Sequence, residues 1–157
     1  MKKEDEAIIR FCVALAQTAE MFRSAHIEIE NKSFLKEVGT TISHSRGKFD
    51  EASLKGRPNF GERFVEGVSI SYSLDAELLK MIDEDKYSMG VSITIRSFGD
   101  HWVLQAEVGW SCRSCGWDNC ESFEQDAADV EAIVSMLPSF CEKVLLSYRM
   151  FVNKIER

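Results

Sequence analysis

The sequence predicts a two-layer α+β domain: an antiparallel β-meander of three to four strands covered by N-terminal and C-terminal helices. Three observations predict it. Apolar residues recur at helical spacing near the start, at Ile8, Phe11, Cys12, Leu15, Ala19 and Phe22. They alternate with period two in the middle, at Val91, Ile93 and Ile95 and again at Trp102, Leu104, Ala106, Val108 and Trp110. Helical spacing returns at the end, with Val144, Leu145, Tyr148, Val152 and Ile155. At 157 residues, 45% hydrophobic and 29% charged, the chain reads as a single domain, 1–157, able to bury a core without disulfides.

Residues 5–22 form the first helix, and "SAHIEIEN" continues it as a short strand or as the helix exit. Phe34, Leu35, Val38 and Ile42 suggest a second, weaker helix. "HSRGKFDEASLKGRPNFGE" follows as a loop, punctuated by Gly47, Gly56, Pro58 and Gly61. "RFVEGVSISYSL" reads as a strand with Val68, Ile70 and Tyr72 on one face, and "DAELLKMIDEDK" as a short helical insert capped by Asp75. The two strands either side of Gly99-Asp100 form a hairpin. Their clean alternation belongs to a sheet covered on one face only. Ser122 and Gln125 stand at capping-box spacing before Val130, Ile133, Val134 and Leu137, where a helix is expected to start. Pro138 should break or kink that helix before the last one begins.

Charge narrows the function classes. The net charge is −7, and the acid excess lies entirely in residues 61–157, because residues 1–60 carry +1. Asp118, Glu121, Glu124, Asp126, Asp129 and Glu131 follow one another with no intervening base. A nucleic-acid binder would show a basic stripe instead, and an anionic membrane surface is disfavoured for the same reason. The start, "MKKEDEAIIRFCVALAQ", is a poor signal peptide, since acids precede its apolar stretch and Arg10 breaks it. No apolar run approaches the ~18–20 residues of a membrane span. The expected compartment is the cytoplasm, where five cysteines, an odd number, stand as thiols or metal ligands.

The sharpest local feature is "SCRSCGWDNC", residues 111–120, with C-x2-C-x4-C spacing at Cys112, Cys115 and Cys120. Three thiolates on a tight loop between a strand and a helix could hold zinc, given a fourth ligand. The zinc-knuckle pattern fails: it asks for His where Cys120 stands and for Cys near position 125, which is Gln. Asp118 and Cys141 remain as fourth candidates. The leading reading is an exposed loop with no cofactor, running into an acidic helix start; zinc at Cys112, Cys115 and Cys120, in a structural or regulatory module, is the alternative. His26-x-Glu28 with Cys112-x-x-Cys115 resembles the zinc deaminase signature, but no proline precedes Cys112. "GRPNFG" lacks the Lys-Ser/Thr ending of a phosphate loop, and Asp83 and Asp85 read as solvated acids at a helix end. No residue is assigned a catalytic role.

The leading helix, the central meander with its W-x-L-x-A-x-V strand at Trp102–Val108, the polar loop and the C-terminal helical pair resemble the immunity proteins of bacterial polymorphic-toxin and contact-dependent growth inhibition systems, over roughly residues 64–155. That resemblance implies a non-enzymatic protein that binds one toxin domain and blocks it, by acidic complementarity where the toxin is a basic nuclease. The residues expected to carry binding are Trp117, an aromatic anchor, with Asp118, Glu121, Glu124, Asp126 and Asp129.

Overall fold

The structure is a computed structural model that describes residues 2–50, 64–99 and 101–156. Helix α1 (Lys3–Ile29) leads into five strands, β1 (Leu35–Asp50), β2 (Phe64–Ile82), β3 (Lys86–Phe98), β4 (His101–Cys112) and β5 (Gly116–Ala127), and helix α2 (Val130–Glu156) closes the chain. The strands form one antiparallel sheet in the order β1-β2-β3-β4-β5. Both helices lie on one face, so the expected two-layer α+β architecture holds, with five strands in place of three to four. No helix among the described residues is long and apolar enough to cross a membrane.

Strand parity decides which face is covered. Tyr72, Leu74, Ala76 and Leu78 of β2, Met89 to Ile95 at odd positions of β3, and Leu104 to Trp110 at even positions of β4 are buried under the helices. The helices contribute Phe22, Ile133, Leu137, Val144, Leu145 and Tyr148 to the same core. Aromatic contacts tie the layers: Phe22 meets Tyr72 at 5.7 Å, Phe11 meets Trp102 at 5.5 Å, and Trp110 meets Phe151 at 4.8 Å between ring centroids. The Tyr72 hydroxyl donates to the Leu15 carbonyl at 3.0 Å.

Five antiparallel strands are an odd number, so β5 ends at the opposite end of the sheet from the exit of α1. The two helices therefore run parallel. Ion pairs match that alignment: Arg10–Glu131 joins the two starts, and Glu28–Arg149 with Lys32–Glu156 joins the two ends. Each helix has 27 residues, about 40 Å of axis, which spans the long strands beneath it.

Several sequence expectations give way here. Residues 35–50 form β1 and not a weak helix followed by a loop; Val38 and Thr40 face α1, with His26 Nδ1 2.7 Å from the Thr40 hydroxyl. The rest of the expected loop, residues 51–63, lies outside the described residues. "DAELLKMIDEDK" is no helix: Leu74, Ala76 and Leu78 carry the period-two burial of β2 through it, and Asp75 caps nothing. "SAHIEIEN" is the end of α1. The buried stripe of α1 is Ala14, Thr18, Phe22, Ala25 and Ile29, whereas Ile8 and Cys12 are exposed. Phe22 of the expected face is in the core and Phe11, Leu15 and Ala19 pack against it, so spacing found the inner face in part; the small residues Ala14, Thr18 and Ala25 complete it and allow close approach.

Ser122 and Gln125 sit in β5, and the cap of α2 is Asp129, whose Oδ1 accepts from the Ala132 N–H at 2.8 Å. Pro138 lies inside a continuous α2 and does not end it. Ile133 and Leu137 before it, and Phe140, Cys141 and Val144 after it, lie in one buried stripe that holds the axis on the sheet.

Tyr148 is fully buried, and its hydroxyl has no hydrogen-bond partner among the described residues. Burial pushes its ionisation far up, with the Asp75 charge adding to the effect. An unsatisfied buried hydroxyl costs about 1 kcal/mol or more. Tyr148→Phe is therefore expected to raise the stability to urea by about 1 kcal/mol; a lower denaturation midpoint would show that the hydroxyl is engaged.

Candidate functional site

The face of the sheet away from the two helices is exposed at Asp75 and Glu107, partly exposed at Ser71, Ser73 and Thr94, and buried at Ser69 and Val103, and strand parity sets its chemistry. Hydroxyl and glycine residues dominate: Gly39, Thr41 and Ser43 on β1, Ser71 and Ser73 on β2, Ser88, Gly90, Ser92 and Thr94 on β3. Ser71 and Thr94 hydrogen-bond across the strands at 3.0 Å. The charges among the described residues of this face are six carboxylates, Glu37, Asp75, Glu77, Glu107, Glu124 and Asp126, against Arg96. Arg96 is already held by the Gln105 side-chain oxygen on β4.

Register places Gly39, Asp75, Gly90 and Gly109 in a line across β1 to β4, opposite Asn119 of β5. Three of these positions lack side chains, which leaves a trough across the sheet. Trp117 of β5 lies in it. A Cβ on Gly90 would meet the ring at 3.3 Å, and one on Gly109 would meet it at 3.0 Å. The indole is still 36% exposed, so it packs on backbone and presents an edge to solvent. The Asp75 carboxylate stands at the same place, 2.6 Å from the Cβ position of Gly90.

A β-bulge explains how Trp117 reaches this face. Val108 pairs with Glu121 but Gly109 pairs with Asn119, so Cys120 is the extra residue of β5. The bulge reverses the parity of the strand, and Trp117 and Asn119 share the open face with Ser122, Glu124 and Asp126. Asp118 and Glu121 fall on the other side. Asp118 pairs with Trp110, and Glu121 accepts a hydrogen bond from the Ser147 hydroxyl of α2. The expected binding set is thus divided. Trp117, Glu124 and Asp126 share the open face, Asp118 and Glu121 lie on the helix side, and Asp129 is a helix cap. Glu37, Asp75, Glu77 and Glu107 were missed. The signal for two of them was present, because Ser71, Ser73, Asp75 and Glu77 alternate with buried apolar residues.

"SCRSCGWDNC" is a hairpin and not a loop entering a helix: β4 ends at Cys112, Gly116 takes φ 79°, and β5 runs on through Cys120. Cys112 is buried, with its thiol pushed up to about 11 by burial first and by the Cys115 thiol next. Cys115 is exposed in the turn and Cys120 is exposed at the bulge. Among the described residues no three His, Cys, Asp or Glu side chains gather as metal donors. His26 and Glu28 are engaged elsewhere, with Thr40 and Arg149 respectively.

Two turns at one end of the sheet are locked together. Asp83 and Glu84 both take positive φ, 57° and 60°, in the tight link between β2 and β3. Asp85 then accepts from both the N–H and the hydroxyl of Ser114 in the β4–β5 turn, each at 2.8 Å. The Ser114 hydroxyl first and its N–H next hold the Asp85 carboxyl below its usual range. Asp75 is shifted the other way, upward, by desolvation, and has no hydrogen-bond or ion-pair partner among the described residues. A raised carboxyl binds its proton more tightly in the folded state. Ionised Asp75 therefore lowers stability at neutral pH, and that cost fades as pH falls through its folded pKa.

Compared with family models, with curated proteins and with solved structures, the chain matches none.

Proposed function

We propose that the chain is a non-enzymatic binding protein of the immunity type, which acts in the cytoplasm and occludes a basic toxin domain, a nuclease above all, with the open face of its sheet. The observation that carries this reading is the charge of that face among the described residues, six carboxylates against Arg96, which Gln105 holds, and Lys36, which pairs with Glu77. Such a face attracts a basic partner from a distance. Carboxylates set against the Lys and Arg that grip substrate phosphate would close a nuclease to nucleic acid. Trp117 supplies the aromatic contact that a purely ionic surface lacks.

The test compares two charge variants in association with whichever basic toxin domain a neighbouring gene encodes. Neutralising Glu107, Glu124 and Asp126 together is expected to slow association about tenfold at low salt, with the difference shrinking near physiological ionic strength. Neutralising Asp118 and Glu121, on the helix side, should leave the on-rate alone. Equal on-rates for the first variant and the wild type at both salts would remove the open face from the interface.

A further inference from the structure

The cysteines of the β4–β5 turn have no part in the open-face reading, and their arrangement is specific. Cys112 is the last residue of β4 and is buried, while Cys115 is exposed in the turn. Residues 113–115 reverse the chain between Cys112 and its cross-strand partner Gly116, which takes φ 79°. Residues three apart in so tight a turn stand within about 7 Å of each other at Cα. A disulfide needs roughly 4.4–6.8 Å. The two thiols already interact, by a side-chain hydrogen bond and by charge. Ser114, between them, is held by Asp85 through both its N–H and its hydroxyl, and the Arg113 N–H donates to the Asp85 carbonyl at 3.1 Å. The turn is therefore anchored from the β2–β3 link. Cys120 stands apart, about 13 Å beyond Gly116 along β5 and out of reach of either thiol.

We propose that Cys112 and Cys115 form a reversible disulfide site, oxidised by a low-molecular-weight disulfide and reduced by the matching thiol. The site does not depend on which partner the open face binds. Exposure sets the order of the steps. The Cys115 thiolate attacks one sulfur of the small disulfide, whose S–S bond breaks, and one small thiolate leaves. The Cys112 thiolate then attacks Cys115 Sγ, the mixed S–S bond breaks, and the second small thiolate leaves. The protein gives two electrons to the small disulfide, and the protons of its two thiols end on the two small thiols released. In the anchored turn the second step is intramolecular. Cys120, with neither thiol of the turn in reach, lacks that step. Trp117 follows Cys115 by two residues, so the new bond ties down the turn from which its strand starts.

The test incubates the whole protein in buffers of reduced and oxidised glutathione, quenches with acid and alkylates the remaining thiols. Cleavage after Arg113 and before Asp118 then isolates Ser114–Trp117, which holds Cys115 alone. By mass spectrometry this tetrapeptide is expected joined to the peptide that ends at Arg113 and holds Cys112, and freed from it by reduction. The ratio of joined to alkylated tetrapeptide should be about tenfold higher in the folded chain than in urea at the same glutathione ratio. In the native protein the thiols that react fast with iodoacetamide should fall from three, Cys12, Cys115 and Cys120, to two. Cys120→Ser should leave the joined peptide unchanged, and Cys115→Ser, at an exposed position, should abolish it without disturbing the fold. A tetrapeptide that carries glutathione and stays unjoined, one joined to the Cys120 peptide, one alkylated at every glutathione ratio, or equal joining in folded and unfolded chains would each overturn the site.

Discussion

Gly109→Ala should cost this protein about 3 kcal/mol of folding stability, toward the upper end for overpacking. A Cβ at Gly109 would stand 2.2 Å from the Asp118 carbonyl oxygen, 3.1 Å from Asn119 Cα and 3.0 Å from the Trp117 ring. Two of these are backbone atoms of the neighbouring strand, held at the bulge where Gly109 pairs with Asn119. No rotamer change relieves them; β5 must move. For a domain of this size the loss corresponds to a fall of roughly 6–12 °C in Tm, readable by calorimetry. The natural control is Gly39→Ala, where an added Cβ meets nothing within 4 Å. A Gly109→Ala variant as stable as Gly39→Ala would mean that the bulge is not where the structure puts it.

Trp117→Ala is the second large effect, and it concerns the proposed complex with a basic partner. The indole lies over Gly90 and Gly109 with an exposed edge, so its position is set before a partner arrives. An anchor fixed in advance loses little side-chain freedom on binding, and such residues act through the dissociation rate. Its loss should raise koff about 30-fold, equivalent to ~2 kcal/mol, with the on-rate nearly unchanged. That separates it from the carboxylates, whose neutralisation acts on association and fades with salt. Surface plasmon resonance at two salt concentrations reads both. A koff that does not move would place Trp117 outside the interface, as a side chain that only fills the glycine trough.

The sheet's core strands were legible because apolar side chains alternate from Met89 to Ile95 in β3 and from Leu104 to Trp110 in β4, and α2 because its apolar stripe repeats cleanly on both sides of Pro138. β1 was not, because a strand of glycine, serine and threonine has little apolar periodicity to read. The far half of β2 was misread because Leu78, Leu79 and Ile82 mimic helical spacing where bulges break the alternation. The site suffered from the same cause. Reading 111–127 as loop and helix start joined Asp118 and Glu121 to Trp117, and only the bulge at Cys120 shows that they face opposite ways. Acid content was visible in the sequence; the register that gathers Glu37, Asp75 and Glu77 from distant segments was not.

The parallel pairing of α1 with α2 has a consequence for how the chain is made. Each hairpin of the meander closes between neighbouring segments, so the sheet can assemble in step with synthesis. The helices differ: α1 emerges before the sheet, and the salt-bridged neighbour along its flank emerges after it. At ~5–20 residues per second, the ribosome needs roughly 5–20 s to pass from the end of α1 to the start of α2. Throughout that interval Phe22, Ala25 and Ile29 have a growing sheet to rest on but no second helix beside them. A nascent chain stalled before Val130 would therefore carry a finished strand ladder with half of its apolar face bare, a form that holdase chaperones should recognise and the complete chain should escape.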